Sequence, residues 1–306
     1  MFEFLTTLIA PAIWAASNHF NKYLVSRAMA GVGVGAIVIF AALVGVVVLP
    51  VAFILQREAF TIDAMNAVLI ALNGCLYLLA LIPFLKALRI GDASSVIPLV
   101  QLTPVISFFL ARILLGEVLS HSQLLGGVLV VCGALLISLE ARSGAAGTKL
   151  RLRADTLGLM LLSTSLYAVS FVVFKAFAIK VEFWTTAFWE SVGFICYAIV
   201  LLTCVQSYRD DFLKIFPRNR KVTGLAMINE SMNIVGKIVF NYFSLWVPLT
   251  LAWIGVSFQS VFVLIYSVAL SRLYPSISDE AVHGKELLQK SVAITIMLVG
   301  VCVMYW

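Results

Sequence analysis

Long apolar runs recur along this chain from one end to the other, and most can cross a hydrocarbon layer about 30 Å thick. No other feature restricts the fold so severely. Hydrocarbon leaves exposed backbone N–H and C=O groups without partners, so each run is expected to be helical. Of 306 residues, 62% are hydrophobic and 12% charged, whereas an ordinary soluble domain carries about 25% charged residues. A soluble fold of this size would leave too much apolar surface in water. The expected class is an all-α membrane protein.

The apolar runs predict about ten transmembrane helices, over 4–24, 31–55, 64–88, 93–116, 122–140, 156–180, 183–207, 222–246, 249–273 and 287–306. Gly31, the stretch from Arg57 to Asp63, Gly91-Asp92 and Val247-Pro248 interrupt them. No polar stretch is long enough for a separate domain outside the bilayer. The first run carries Asn18, Asn21 and Lys22 and lacks the short core and cleavage site of a removable signal, so it reads as a retained span. Residues 141–154 are small, polar and basic, and read as a linker between a first unit, 1–140, and a second, 155–306.

The two units echo each other. Trp14-Ala15-Ala16-Ser17 precedes Lys22 as Tyr167-Ala168-Val169-Ser170 precedes Lys175. Asn73 and Tyr77 correspond to Asn229 and Asn233, and Pro104-Val105-Ile106 to Ser260-Val261-Phe262. Five helices per unit would invert the second relative to the first. The expected architecture is therefore two inverted five-helix repeats. The net charge of +6 comes from cations in short loops. Membrane orientation explains them better than nucleic-acid binding, and no nucleic-acid partner is expected. Connections 1–2, 3–4, 5–6, 7–8 and 9–10 hold nearly all of them, while the opposite side has little beyond Arg57 and Lys180. The positive-inside rule then puts both termini outside the cytoplasm.

Residues 87–137 carry Ala87-Leu88-Arg89, Ser95-Val96 before Pro98-Leu99, Pro104-Val105, Leu115-Gly116-Glu117, and Gln123 ahead of a helix containing Gly126. This chain of motifs resembles the EamA-type half of the drug/metabolite transporter superfamily. The second half resembles it more loosely, through Gln259-Ser260-Val261-Phe262, Pro275, Glu280 and Gly300. The resemblance implies ten helices, an inverted repeat, and export or exchange of metabolites, amino acids or drugs across a prokaryotic plasma membrane. It also implies cytoplasmic termini, opposite to the charge count. The second half lacks Leu-Gly-Glu, and its connection 9–10 is longer.

Ionisable groups inside a span are costly unless they face protein or a wet cavity, so they are the best site candidates. In the eighth span Glu230, Asn233, Lys237, Asn241 and Ser244 recur at steps of three and four, forming one polar stripe. It either lines a substrate cavity or is a Glu230/Lys237 network joining helices. Glu190 in the seventh span should pair with a lysine, Lys175 or Lys237, as a fixed staple or a breakable switch. In the first span Ser17 and Asn21 share one stripe and Asn18 and Lys22 the next, with Lys22 free to snorkel to the interface. His19 reads as a packed or interfacial residue rather than a proton relay. Asn73 and Tyr77 share a face of the third span, for cavity lining or interhelical hydrogen bonds. Pro98 and Pro104 should kink the fourth span around Gln101, freeing carbonyls for a substrate wall, while the ninth should be straighter. Glu117 sits at a helix end, where capping or loop anchoring outweighs substrate contact. Trp184, Trp189, Trp246, Trp253 and Trp306 read as interfacial belts. The five cysteines read as packing residues, without disulfides.

These features favour a secondary transporter of a small-molecule substrate such as an amino acid, by alternating access, with proton coupling through Glu190 or Glu230. No Gly-rich nucleotide loop is present, and nothing calls for a cofactor or a metal. A flippase for a lipid-linked substrate is the alternative, marked by a lateral opening between helices. A structural or receptor-like role would fit a dry, fully packed polar stripe. An intramembrane enzyme would need a nucleophile–base or metal set that the scattered His19, His121 and His283 do not supply. Gly31, Gly33, Gly35, Gly126 and Gly127 allow close helix contacts, within one protomer or across a homodimer.

Overall fold

The computed structural model describes residues 6, 8–24, 28–29, 31–90, 96, 99–100, 102–138, 154–273 and 284–304. It is all-helical, with no strand among the described residues. The helices are α1 (Ile9–Tyr23), α2 (Gly35–Leu43), α3 (Gly45–Leu55), α4 (Ala64–Ile90), α5 (Leu102–Leu114), α6 (His121–Ser138) and α7 (Ala154–Val181). They continue as α8 (Phe183–Cys204), α9 (Gln206–Ile215), α10 (Arg220–Ser244), α11 (Leu249–Val256), α12 (Gln259–Leu273) and α13 (Gly284–Met304). Helix falls on every predicted range. Among the described residues five segments are long and apolar enough to cross a membrane: Gly35–Leu55, Ala64–Ile90, Asp155–Val181, Phe183–Cys204 and Leu249–Tyr266.

Three expectations about these elements need correction. The seventh range stops at Cys204, and a separate short helix, α9, follows it. The ninth range is broken rather than straight: between α11 and α12, Ser257 N–H bonds to the Ile254 carbonyl and Phe258 N–H to the Gly255 carbonyl. These three-residue bonds replace the four-residue ladder beside Gly255 and Ser257, small residues of the kind that weaken a helix locally. In the fourth range, Pro98 and Gln101 lie outside the described residues. Pro104 stands in the first turn of α5, where its missing N–H removes no intrahelical bond.

Side chains fill the interior by layer. Phe171 on α7, Phe240 on α10 and Trp253 on α11 meet with ring centroids 4.8–5.0 Å apart. Trp253 is thus a buried core residue and not part of an interfacial belt. Burial of its large apolar body outweighs the indole's preference for an interface. Trp246 is exposed, and Trp306 lies outside the described residues. Cys132, Cys196, Cys204 and Cys302 are exposed, so they sit on the outer surface rather than packing inside.

Around the site, α4 packs on α7 and α8, α1 on α10 and α12, α5 on α7 and α11, and α6 on α13. Glycines of α6 and α13 meet directly: a Cβ on Gly300 would lie 2.7 Å from the Gly126 carbonyl oxygen. Gly33 and Gly35 lie against Asp211 and Tyr208 of α9, so these close contacts are made within one chain.

The crossing of α4 and α8 matters most for the site. A Cβ on Gly193 would run into the Ala71 carbonyl oxygen, and one on Gly74 into the Glu190 carbonyl oxygen. The two backbones therefore touch, which delivers Glu190 to Asn73. Gly193→Ala is expected to push the helices apart, lowering stability by about 1–3 kcal/mol. Gly224→Ala on α10, where nothing lies within 4 Å, is expected to be neutral or to stabilise by roughly 0.5–1 kcal/mol. Thermal unfolding of both proteins in detergent checks this; an unchanged midpoint for Gly193→Ala would rule out the close crossing.

Candidate functional site

The polar stripe of α10 divides into two separate sets. Glu230 and Lys237, two turns or about 10 Å apart along the axis, do not pair with each other; each has its own partners.

The first set surrounds Lys237. Its ammonium forms a buried ion pair with Glu190 of α8, side-chain exposures being 2% and 5%. The other Glu190 oxygen accepts a hydrogen bond from Asn73 Nδ2 of α4 at 3.1 Å. The ammonium also faces aromatic rings, 4.8 Å from the centroids of Tyr77 and Phe174 and 5.7 Å from those of Phe171 and Phe194. Helical spacing builds this box: Tyr77 follows Asn73 by one turn on α4, and Phe194 follows Glu190 by one turn on α8. Low local dielectric makes the ion pair strong, while the rings and amide offset part of the desolvation.

In the second set, Glu230 is 5% exposed and, among the described residues, has no cation at ion-pair distance. Amides hold it instead: Asn229 Nδ2 donates to one oxygen at 2.9 Å and Asn233 Nδ2 to the other at 3.2 Å. Helix α1 fixes those amides. Ser17 Oγ lies 2.7 Å from both the Asn229 and Asn233 Oδ1 atoms, and its single proton serves one of them at a time. Asn229 Nδ2 also reaches Asn21 Oδ1 at 2.8 Å, and Trp14 Nε1 donates to the Asn233 carbonyl at 3.1 Å. Each buried donor is thus directed at the carboxylate or at the residue orienting it.

Lys175 stands apart from both sets. Its ammonium contacts Glu117 Oε1 at 2.5 Å and donates to the Val247 carbonyl at 2.8 Å. The Leu-Gly-Glu stretch explains the reach of Glu117. Gly116 adopts φ +67°, a left-handed turn open to glycine, and Glu117 N–H closes back on the Ala111 carbonyl. The carboxylate then swings to Lys175, and its second oxygen accepts from Leu249 N–H at 2.7 Å, at the start of α11. Glu117 therefore clamps three segments, at the floor of an open cleft of about 510 Å³ bordered by Leu114, Ile179 and Trp246.

Of the remaining candidates, Asn241 is buried one turn beyond Lys237, with its Oδ1 unpartnered. Asn18 is half-buried on α1 and makes no hydrogen bond within either set. The Lys22 side chain and all of Gln101 lie outside the described residues. Ser17, Asn21 and Asn229 are as central to the Glu230 set as Asn233, and the spacing of Ser17 and Asn21 on α1 was the signal for two of them. The rings of Phe171, Phe174 and Phe194 were hidden among many apolar phenylalanines. Among the described residues no group of His, Cys, Asp and Glu side chains could hold a metal ion.

The all-helical chain, with its long apolar helices and buried charged side chains, is consistent with a multi-pass membrane protein. Residues 1–139, somewhat less than half of the chain, match the model of the EamA-like transporter family, which is part of the drug/metabolite transporter superfamily; the first half is similar to that family. Among curated proteins none matches. A solved crystal structure resembles the chain with a TM-score of 0.65 at 14% identity, over 99% of this chain and 95% of that one. At that identity the likeness concerns the fold alone.

Proposed function

We propose that the chain is a secondary active transporter, an exporter or exchanger of small organic metabolites such as amino acids. Two inverted five-helix halves, 1–140 and 155–306 with the linker 141–154, rock about the site in a prokaryotic plasma membrane. The carrying observation is that charged and amide side chains from α1, α4, α8 and α10 are gathered in the interior in two sets, an arrangement a transport path makes use of. Helix packing supports the inverted repeat. Exchanging the first five spans with the last five turns the α1–α10 contact into α7–α4, and α1–α12 into α7–α5, all of which are present. The Trp14–Asn233 and Tyr167–Tyr77 contacts are exchanged by the same operation.

The two carboxylates suit different tasks. Lys237 neutralises Glu190, to which Asn73 also donates, while Glu230 has amides and, among the described residues, no counter-charge. An uncompensated buried carboxylate costs several kcal/mol that a proton removes. Glu230 is therefore the coupling residue in this proposal. In proteoliposomes screened with radiolabelled metabolites, an imposed pH gradient is expected to drive flux of the right solute. Glu230→Gln should lose that gradient dependence while retaining exchange at equal pH. Gradient-driven flux surviving in Glu230→Gln would refute the assignment.

A lipid-linked substrate is the second reading, favoured by the cleft over Glu117 and Lys175, whose rim includes exposed Leu114, Ile179 and Trp246. Protein-dependent movement of a labelled lipid between leaflets, without flux of water-soluble metabolites, would select it.

A further inference from the structure

We infer that the enclosure around Lys237 is an ammonium-recognition box, and that the transported solute carries an alkylated ammonium group which replaces Lys237 inside it. The inference rests on the transport reading above and names its substrate class.

The chemistry of the enclosure is unlike that of a simple helix staple, and the same molecule supplies the comparison. Lys175 gives its ammonium two oxygens, from Glu117 and Val247, and no ring face among the described residues. Lys237 has one hydrogen-bond partner, Glu190, and four aromatic rings with centroids 4.8–5.7 Å from its Nζ. A primary ammonium has three N–H donors to satisfy. A site that accepts one and meets the others with π faces is better matched to a cation whose nitrogen carries alkyl groups. Such cations have few N–H donors, and aromatic faces attract their diffuse charge.

Two further observations point to a ligand. Asn73 is 3% exposed and donates to Glu190, but the Oδ1 of the same carboxamide is buried with no partner. That leaves an acceptor beside the box, at a substantial desolvation cost unless something donates to it. The walls, moreover, come from α4 (Tyr77), α7 (Phe171, Phe174) and α8 (Glu190, Phe194), while α10 contributes only the lysine that fills the space. Withdrawing one side chain empties a box whose walls stay in place, and an incoming ammonium restores the charge balance with Glu190. Lys237 thus acts as a tethered stand-in for the solute's cation.

The probes are tetramethylammonium and trimethylammonium chloride, with tert-butanol as a neutral control of similar shape. In the purified full-length protein, Lys237→Ala is expected to bind either cation at least tenfold tighter than the parent, read by titration and by a raised unfolding temperature. Tert-butanol should give no shift. Adding Tyr77→Leu or Phe174→Leu should weaken binding about tenfold. Should Lys237→Ala not fold, the parent decides: its proteoliposomes should carry radiolabelled tetramethylammonium above protein-free vesicles, and Tyr77→Leu should reduce that flux. A folded Lys237→Ala protein that binds neither cation, or a parent that carries none, overturns the proposal. Metabolite flux indifferent to tetramethylammonium would overturn the box and leave transport standing. Cation binding without flux of any solute would overturn transport and leave the box.

Discussion

Lys237→Met is expected to lower the stability of the detergent-solubilised protein by about 3–5 kcal/mol, because it leaves the Glu190 carboxylate buried without its counter-charge. Methionine roughly keeps the length of the side chain, so little of the loss comes from a cavity. The rings of Tyr77 and Phe174 would then face an apolar thioether, which does nothing for Glu190. Adding Glu190→Gln should restore most of the stability, since no buried charge remains and Asn73 can still donate to the amide oxygen. Comparing unfolding midpoints of the parent, both single variants and the double measures the coupling directly. A double variant destabilised by the sum of the two single effects would mean that the pair contributes nothing. Flux through the double variant then separates a staple from a switch. A fixed staple predicts normal transport once stability returns, whereas a pair broken during each cycle predicts a stable but inactive protein.

Glu117→Ala should produce the next largest effect. It strips Lys175, whose side chain is 6% exposed, of its ion-pair partner and removes the acceptor for Leu249 N–H. The combined loss is about 3 kcal/mol or more. Glu117→Gln keeps an acceptor for Leu249 and loses only the charge, so its cost should be intermediate. Glu117 belongs to the first half of the chain, and both of its partners to the second. If the halves move against each other, this contact is a latch that must open. A cysteine introduced at Ala176, in a background without the five native cysteines, should then react faster with an impermeant thiol reagent in Glu117→Gln than in the parent. Identical rates, with stability lowered as expected, would reduce Glu117 to a static brace.

How far the sequence could be read depends on the range of the interactions involved. The apolar runs led directly to the helices because bilayer chemistry acts on each segment alone. The polar face of α10 was legible for the same reason, as a periodicity within one helix. The Leu115-Gly116-Glu117 pattern located a helix end, which is also a local property. The ninth range was misread as straight because its break lies at small residues, Gly255 and Ser257, that carry no strong local signal. Trp253 was misread because tryptophan type alone does not distinguish an interface from a core.

Sequence by itself thus determined the class, the helices, the inverted-repeat hypothesis and the short roll of buried charges. It did so because hydrophobic length and helical period are encoded in neighbouring residues. Tertiary structure alone decided which charge meets which. Glu190 meets Lys237 of α10 rather than Lys175, and the close approach of α4 and α8 at Gly74 and Gly193 brings Asn73 alongside. Lys175 turns to Glu117, 58 positions away in the chain, and Glu230 is left to the amides that α1 orients. Coulomb attraction falls with distance through space and not along the chain, so these partnerships exist only once the helices have packed.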